Sequence, residues 1–150
     1  MKIKYFLMKS VFISMSATSI AFAQVPEVNN QNGIDYITSG IGLDESSAIK
    51  EEAKRWPVHI MLSAIMEGKA VWIADVDLTV KNANHQTVLE IKTDGPFALI
   101  KLEPGIYTVE ATNKGAKQTR RFTVVHGKPK SISIFWKASP ENSAEPANTQ

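Results

Sequence analysis

From Val58 to Trp136 apolar and polar side chains alternate in seven short stretches separated by turn residues, a period of two that predicts strands with one buried face. The first covers Val58–Met66, with Val58, Ile60, Leu62 and Ala64 on one face and Gly68-Lys69 closing it. The second runs over 71–80 and is expected to turn Trp72, Ala74, Val76, Leu78 and Val80 inward and Asp75, Asp77 and Thr79 toward water. Asn82-Ala83-Asn84-His85 is a turn, 87–93 a third strand, and Asp94-Gly95-Pro96 breaks it before a fourth over 97–102. Pro104-Gly105 is predicted as a tight type II corner with Gly105 at positive φ. Tyr107, Val109 and Ala111 then mark the inward face of a fifth strand, and Asn113-Lys114-Gly115 turns the chain. Phe122 and Val124 mark the sixth, and Gly127-Lys128-Pro129 leads to the seventh, with Ile132, Ile134 and Trp136.

Before residue 58 the period changes. Asp44-Glu45-Ser46-Ser47 offers an N-cap and acidic first turn, and Ile49, Ala53 and Trp56 follow at helical spacing up to Pro57, so one short helix is expected over 45–55 with Glu51 and Arg55 paired on its outer face. Residues 24–32 are polar, carry Pro26 and read as a flexible leader; 33–66 form an N-terminal extension with the helix and one strand. Residues 67–137 form the sandwich proper. Residues 138–150 have no aromatic or branched aliphatic side chain and read as a disordered tail. The fold expected is all-β, a seven-stranded antiparallel sandwich preceded by a short helix and a strand extension.

The first 23 residues read as an export signal. Lys2, Lys4 and Lys9 precede the uncharged apolar run 11–22, and Ala21-Phe22-Ala23 is a small-x-small cleavage pattern. The product is expected in the periplasm or outside the cell, without an integral membrane segment once Ala23 is cut. Cleavage turns 17 basic and 15 acidic side chains into 14 against 15, which removes the basic excess a nucleic-acid binder needs. There is no cysteine, so neither disulfides nor thiolate chemistry contribute, and roughly 125 residues must fold on one apolar core.

The run Thr93-Asp94-Gly95-Pro96-Phe97, then Leu102-Glu103-Pro104-Gly105-Ile106-Tyr107-Thr108-Val109-Glu110-Ala111, then Gly115 and a last strand ending at Trp136, resembles the carboxypeptidase regulatory-like domain. That family is a transthyretin-like (prealbumin-like) sandwich, and its members are usually accessory modules attached to enzymes or transporters. The resemblance covers about half of the chain, from Ala70 to Trp136. It implies structural roles at turns for Asp94, Gly95, Pro104, Gly105 and Tyr107, and no catalytic residue.

Candidate chemistry is sparse. His59 and Met61 project from one face of one strand and, with Met66 nearby, offer soft ligands for copper. Asp75 and Asp77, expected two apart on another strand, suit a hard cation such as calcium. His85 and His126 lie in turns, and Arg120-Arg121 reads as a surface basic spot. Thr38-Ser39-Gly40-Ile41-Gly42 lacks the first glycine of a nucleophile elbow. The transthyretin-like hydroxyisourate hydrolases end in Tyr-Arg-Gly-Ser, unlike Ala147-Asn148-Thr149-Gln150 here. The three tryptophans are expected in the core. The function these features favour is a non-enzymatic binding or structural module of the bacterial envelope, without a cofactor, whose partner is an envelope protein or a glycan reached by strand addition at a sheet edge. A metal-handling protein is the alternative, and a small hydrolase stands behind it.

Overall fold

The computed structural model describes residues 26–137. The expected export signal and C-terminal tail lie outside the described residues, as do 24 and 25 of the leader. Ten strands and one helix follow in the order β1 (Asn29–Gln31), β2 (Ile34–Ser39), α1 (Leu43–Ala53), β3 (Val58–Met66), β4 (Lys69–Trp72), β5 (Asp77–Lys81), β6 (Thr87–Lys92), β7 (Phe97–Ile100), β8 (Gly105–Asn113), β9 (Ala116–Val124) and β10 (Lys130–Lys137). A front sheet runs β1-β2-β7-β3-β10, with β4 also paired to β3; a back sheet runs β6-β5-β8-β9. All pairs are antiparallel except β3 with β10, which lie parallel from Val58 beside Lys130 to Ile65 beside Lys137. The expected fully antiparallel sheet is corrected by that pair. A parallel neighbour requires a long crossover, and the whole back sheet lies between β3 and β10 in sequence.

The inner faces meet as the alternation demands. Val58, Ile60 and Leu62 of β3, Ala98 and Ile100 of β7, and Ile132, Ile134 and Trp136 of β10 pack on Leu78, Val80, Leu89, Val109, Ala111, Phe122 and Val124 of the back sheet. Within region 33–66, β3 lies inside the front sheet and contributes three fully buried side chains. The leader is shorter than expected, since Asn29–Gln31 pairs with β2. Gln31 Oε1 accepts from the Glu90 N–H at 2.8 Å and Asn32 Nδ2 donates to the Val88 carbonyl at 3.5 Å. Those side chains occupy backbone groups of β6 that strand addition needs. Across the sandwich Trp136 Nε1 donates to the Ala116 carbonyl at 2.8 Å.

Two chain crossings between sheets lie side by side and explain where the long second strand fails. The stretch expected over 71–80 is two strands in two sheets: β4 pairs with β3, and β5 pairs with β6 and β8. The break centres on Asp75, whose φ is 57°. Its N–H donates to the Thr93 carbonyl at 2.8 Å, the Thr93 N–H donates to the Val76 carbonyl at 3.0 Å, and the Val76 N–H donates to Thr93 Oγ1 at 3.1 Å. Thr93 is almost wholly buried, and it ties the crossing into β5 to the crossing out of β6. Gly95 lies so close behind that a Cβ there would collide with the Ser39 carbonyl.

The Pro104-Gly105 corner also differs. Gly105 has no positive φ and opens β8, and the segment before it carries the chain from the front sheet to the back sheet instead of closing a hairpin. Tyr107 holds the corner: its hydroxyl donates to the Glu103 carbonyl at 3.0 Å and its ring stacks on Phe122 with centroids 5.9 Å apart. Two hairpins turn on doubly positive pairs that match the twist of paired strands: Lys114-Gly115, as expected, at φ 46° and 83°, and Glu67-Gly68 at 49° and 76°, one residue before the expected Gly68-Lys69 because Lys69 already opens β4.

Gly95→Ala is expected to destabilise the protein by about 1–3 kcal/mol in urea unfolding, because backbone must move to admit the methyl group. A chain beginning at Glu67 lacks β2 and β3 and is expected to give a disordered circular dichroism spectrum; a cooperative thermal transition from that chain would contradict the architecture.

Candidate functional site

A two-layer sandwich ordinarily presents polar side chains on its outer faces. The front sheet does not. The odd-numbered residues of β3 point outward and read His59, Met61, Ser63, Ile65, and the register puts Leu99 beside His59 and Phe97 beside Met61. Ile37 stands beside Leu99 in turn. Helix α1 covers this part of the face: Ile49 and Trp56 form a second apolar cluster with Ile37, Phe97 and Leu99, against which Ala53 and Met61 also pack.

The helix is placed by its start. Its N-cap is Gly42 with no capping side chain, two residues before the expected Asp44. Glu45 Oε2 instead accepts from the Ile41 N–H at 3.0 Å, while Ser39 Oγ donates to Glu45 Oε1. A carboxylate of the helix's first turn thus ties the residue before the N-cap, and the end of β2, to the helix. Thr38 Oγ1 donates to Asp94 Oδ2 at 2.8 Å and accepts from the Asp94 N–H at 3.3 Å, which joins the same corner to the β6–β7 crossing. Asp94 and Gly95 meet the end of β2 through contacts that spacing alone did not show. The pairing expected between Glu51 and Arg55 is replaced by Lys54–Glu51 at 2.7 Å and Arg55–Glu52 at 2.8 Å.

Because α1 lies over β2 and β7, it stops short of β3 and leaves an open cleft of about 510 Å³ lined by Ile49, Lys50, Ala53, Lys54, His59, Met61, Phe97, Leu99 and Pro129. Its floor is apolar apart from His59, and its helix wall carries two lysines one turn apart. Lys50 Nζ lies 5.7 Å from the Phe97 ring centroid, within cation–π range. A second cleft of about 440 Å³ adjoins at the strand ends, sharing Lys54 and Pro129 with the first. It adds Arg55, Lys101, His126 and Lys128, against the one acidic side chain Glu103.

At its other end the apolar cleft continues onto bare sheet. Ser63 stands between Trp72 of β4 and Phe135 of β10, so two aromatic rings flank a small residue on one face. Trp72 is 56% exposed and Phe135 44%. The expectation that Trp72 belongs to the core is corrected: the break at Asp75 puts it out of phase with Leu78 and Val80, and it packs on Phe97 with ring planes tilted by 42° and centroids 5.1 Å apart. Trp56 and Trp136 are buried.

The metal candidates separate. His59 and Met61 do share the outer face and line the cleft, but Met66 falls on the opposite phase of β3. Asp75 is in the bend before β5 and Asp77 is its first residue, so the two are not alternate residues of one strand as expected. Among the described residues no three His, Asp or Glu side chains gather as a cation site. His85 sits beside a small recess of about 90 Å³ with Asn82 and Arg121, remote from the cleft. Arg120 is half-buried, its guanidinium donating to the Thr119 carbonyl at 2.8 Å, and Arg121 is exposed.

Sequence reasoning passed over Lys50, Phe97, Trp72 and Phe135 as surface features. One signal was present. Phe135 occupies the polar phase of a strand that otherwise reads Ser131, Ser133, Lys137. No protein-family model and no curated protein matches this chain. No helix among the described residues is long and apolar enough to cross a membrane.

Burial in the cleft wall lowers the His59 pKa below its ordinary 6.5. The unfolded chain then binds the proton more readily than the folded one, so stability is full above pH 6.5 and falls as the pH drops through that value, until the folded imidazole also protonates. His59→Gln is expected to flatten this part of the stability–pH curve in urea titrations between neutral and mildly acidic pH; an unchanged slope would mean that His59 is as well solvated folded as unfolded.

Proposed function

We propose that this protein is a non-enzymatic binding module of the bacterial envelope that takes its partner on the outer face of the front sheet. The observation that carries the reading is the apolar outer face of the front sheet, with the cleft beneath α1 and half-buried Met61 at one end and exposed Trp72 and Phe135 at the other. Soluble domains rarely leave such a face open unless something covers it, and the exposed aromatic rings at its far end supply anchors of the kind that dominate recognition. The groups along it are aliphatic and aromatic side chains, serine hydroxyls, lysines and one imidazole, which suit binding.

Export and a carboxypeptidase regulatory-like, transthyretin-like ancestry are part of the proposal. The signal-like start supports the first. The run from Leu102 to Ala111, and a β-sandwich whose residues 67–137 contribute seven of the strands, support the second. The parallel partnership of β3 and β10 is a departure that the ancestry has to accommodate.

Benzoylphenylalanine placed at Trp72 or Phe135 and irradiated in intact cells is expected to give crosslinked adducts, whereas the same group at Lys92, on the back sheet, gives none. Equal labelling at all three positions, or labelling only from Lys92, would move the binding surface elsewhere.

A further inference from the structure

We propose that the cleft between α1 and β3 binds a single long-chain carboxylate, a fatty acid or a molecule of that form, with its head group at the basic end and its chain along the sheet face. The proposal rests on the reading of this face as the binding surface and adds the chemistry of what fills it. Three features of the molecule point the same way.

Basic side chains are most concentrated at one end of the path, although Lys50 lies over Phe97 and Lys137 follows Phe135 on the same face. At the Pro129 end the apolar cleft adjoins the second cleft, which Lys54, Lys101, His126 and Lys128 line together with one acid, Glu103. Lys128 has no carboxylate within ion-pair distance among the described residues, and the Lys54 and Lys101 pairs are largely exposed, hence weak and easily exchanged for a ligand's carboxylate. At the far end the path carries Met61, Phe97, Trp72 and Phe135 and no acidic group. An amphiphile with an anionic head matches both ends at once.

The floor is the face of a sheet and not its edge. Residues of β3 within it are already paired with β7 on one side and β10 on the other. A polypeptide lying along this floor would find few partners for its own N–H and C=O groups, and a glycan would leave hydroxyls unpaired over Leu99, Met61 and Phe97. An alkyl chain has no polar group to satisfy. From the level of Pro57 to that of Ser63 the strand rises about 20 Å, and the cleft volume lies in the ordinary range for small-molecule sites, so a chain of many carbons fits lengthwise.

The charge balance favours a single molecule over a membrane surface. After Ala23 the chain has 14 basic and 15 acidic side chains, too even a mixture for adhesion to anionic bilayers. Within that mixture the basic groups at the Pro129 end form a local concentration around one cleft.

The test titrates cis-parinaric acid, a fluorescent long-chain carboxylate, into the purified protein. Saturable fluorescence enhancement with one site per chain is expected. The double variant Lys54→Glu/Lys128→Glu, which changes exposed side chains, is expected to weaken it by about tenfold or more, as is replacing the probe by its methyl ester. Ala53→Trp, which fills the cleft, is expected to abolish it while the circular dichroism spectrum stays unchanged. Absence of saturable binding, equal affinity for the methyl ester, or indifference to the charge reversal would overturn the proposal. Co-sedimentation with vesicles of anionic phospholipid without parinarate binding would assign the face to a membrane and also overturn it. If parinarate fails while adducts still form from positions 72 and 135, the carboxylate inference falls and the binding face stands; if both fail, both fall.

Discussion

A sheet that is apolar on both faces must be covered on both, and that constraint organises this molecule. One face of the front sheet closes against the back sheet through Ile60, Leu62, Ala98, Ile100 and Ile134. The other presents Ile37, Phe97 and Leu99, which are buried, and Met61, which is covered only in part. Ile37, Ile49 and Leu99 are buried by that contact, each worth about 1.5–3 kcal/mol relative to exposure, so the helix is held chiefly by the sheet and only weakly by its own propensity. An eleven-residue helix is too narrow to cover the face of a six-stranded sheet. What it leaves uncovered is the cleft and the aromatic row beyond it.

The cleft keeps its shape because both of its walls are tied to the same corner. Glu45 and Ser39 fix the start of α1, Thr38 binds Asp94, and Gly95 lies against the Ser39 carbonyl, so the helix is referenced to the chain segment that becomes β7 one residue after Pro96. The Leu62 N–H donates to the Pro96 carbonyl at 2.8 Å and the Ile73 N–H donates to the Leu62 carbonyl at 3.3 Å, which places β4 and β7 end to end along one side of β3. Trp72 therefore meets Phe97 although they stand in different strands. The site is built on strands with a helix wall, which holds side chains in place better than loops do.

Local electrostatics distinguishes the two ends of this face more than the molecule's net charge does. Glu110 holds Lys81 at 3.0 Å and Lys117 at 3.4 Å on the back sheet; hydrogen bonding to Lys81 lowers its carboxyl pKa. The lysines of the front face are engaged differently. Lys50 rests over the Phe97 ring, and among the described residues Lys54 pairs only with Glu51, three residues earlier. Positive charge thus stays available beside an apolar floor, where the low local polarity strengthens any ion pair formed there.

Much of the strand pattern was legible from residue order alone. Val58–Met66 and the inward phases of Tyr107 to Ala111, Phe122 to Val124 and Ile132 to Trp136 follow from alternation, which depends only on the geometry of an extended backbone. The helix was legible from Ile49, Ala53 and Trp56, because 3.6 residues per turn is equally local. Tertiary structure decided the rest. The single strand over 71–80 became two because Thr93, distant in sequence, offers hydrogen bonds that stabilise a bend at Asp75, and a bend of that kind inverts the phase of Trp72. The parallel meeting of β3 and β10, and with it the row Trp72–Ser63–Phe135, needs two strands separated by the whole back sheet. Alternation states that a side chain lies on one face or the other; whether that face meets a sheet, a helix or open solvent depends on contacts between residues far apart in the chain, and those exist only once the chain has folded.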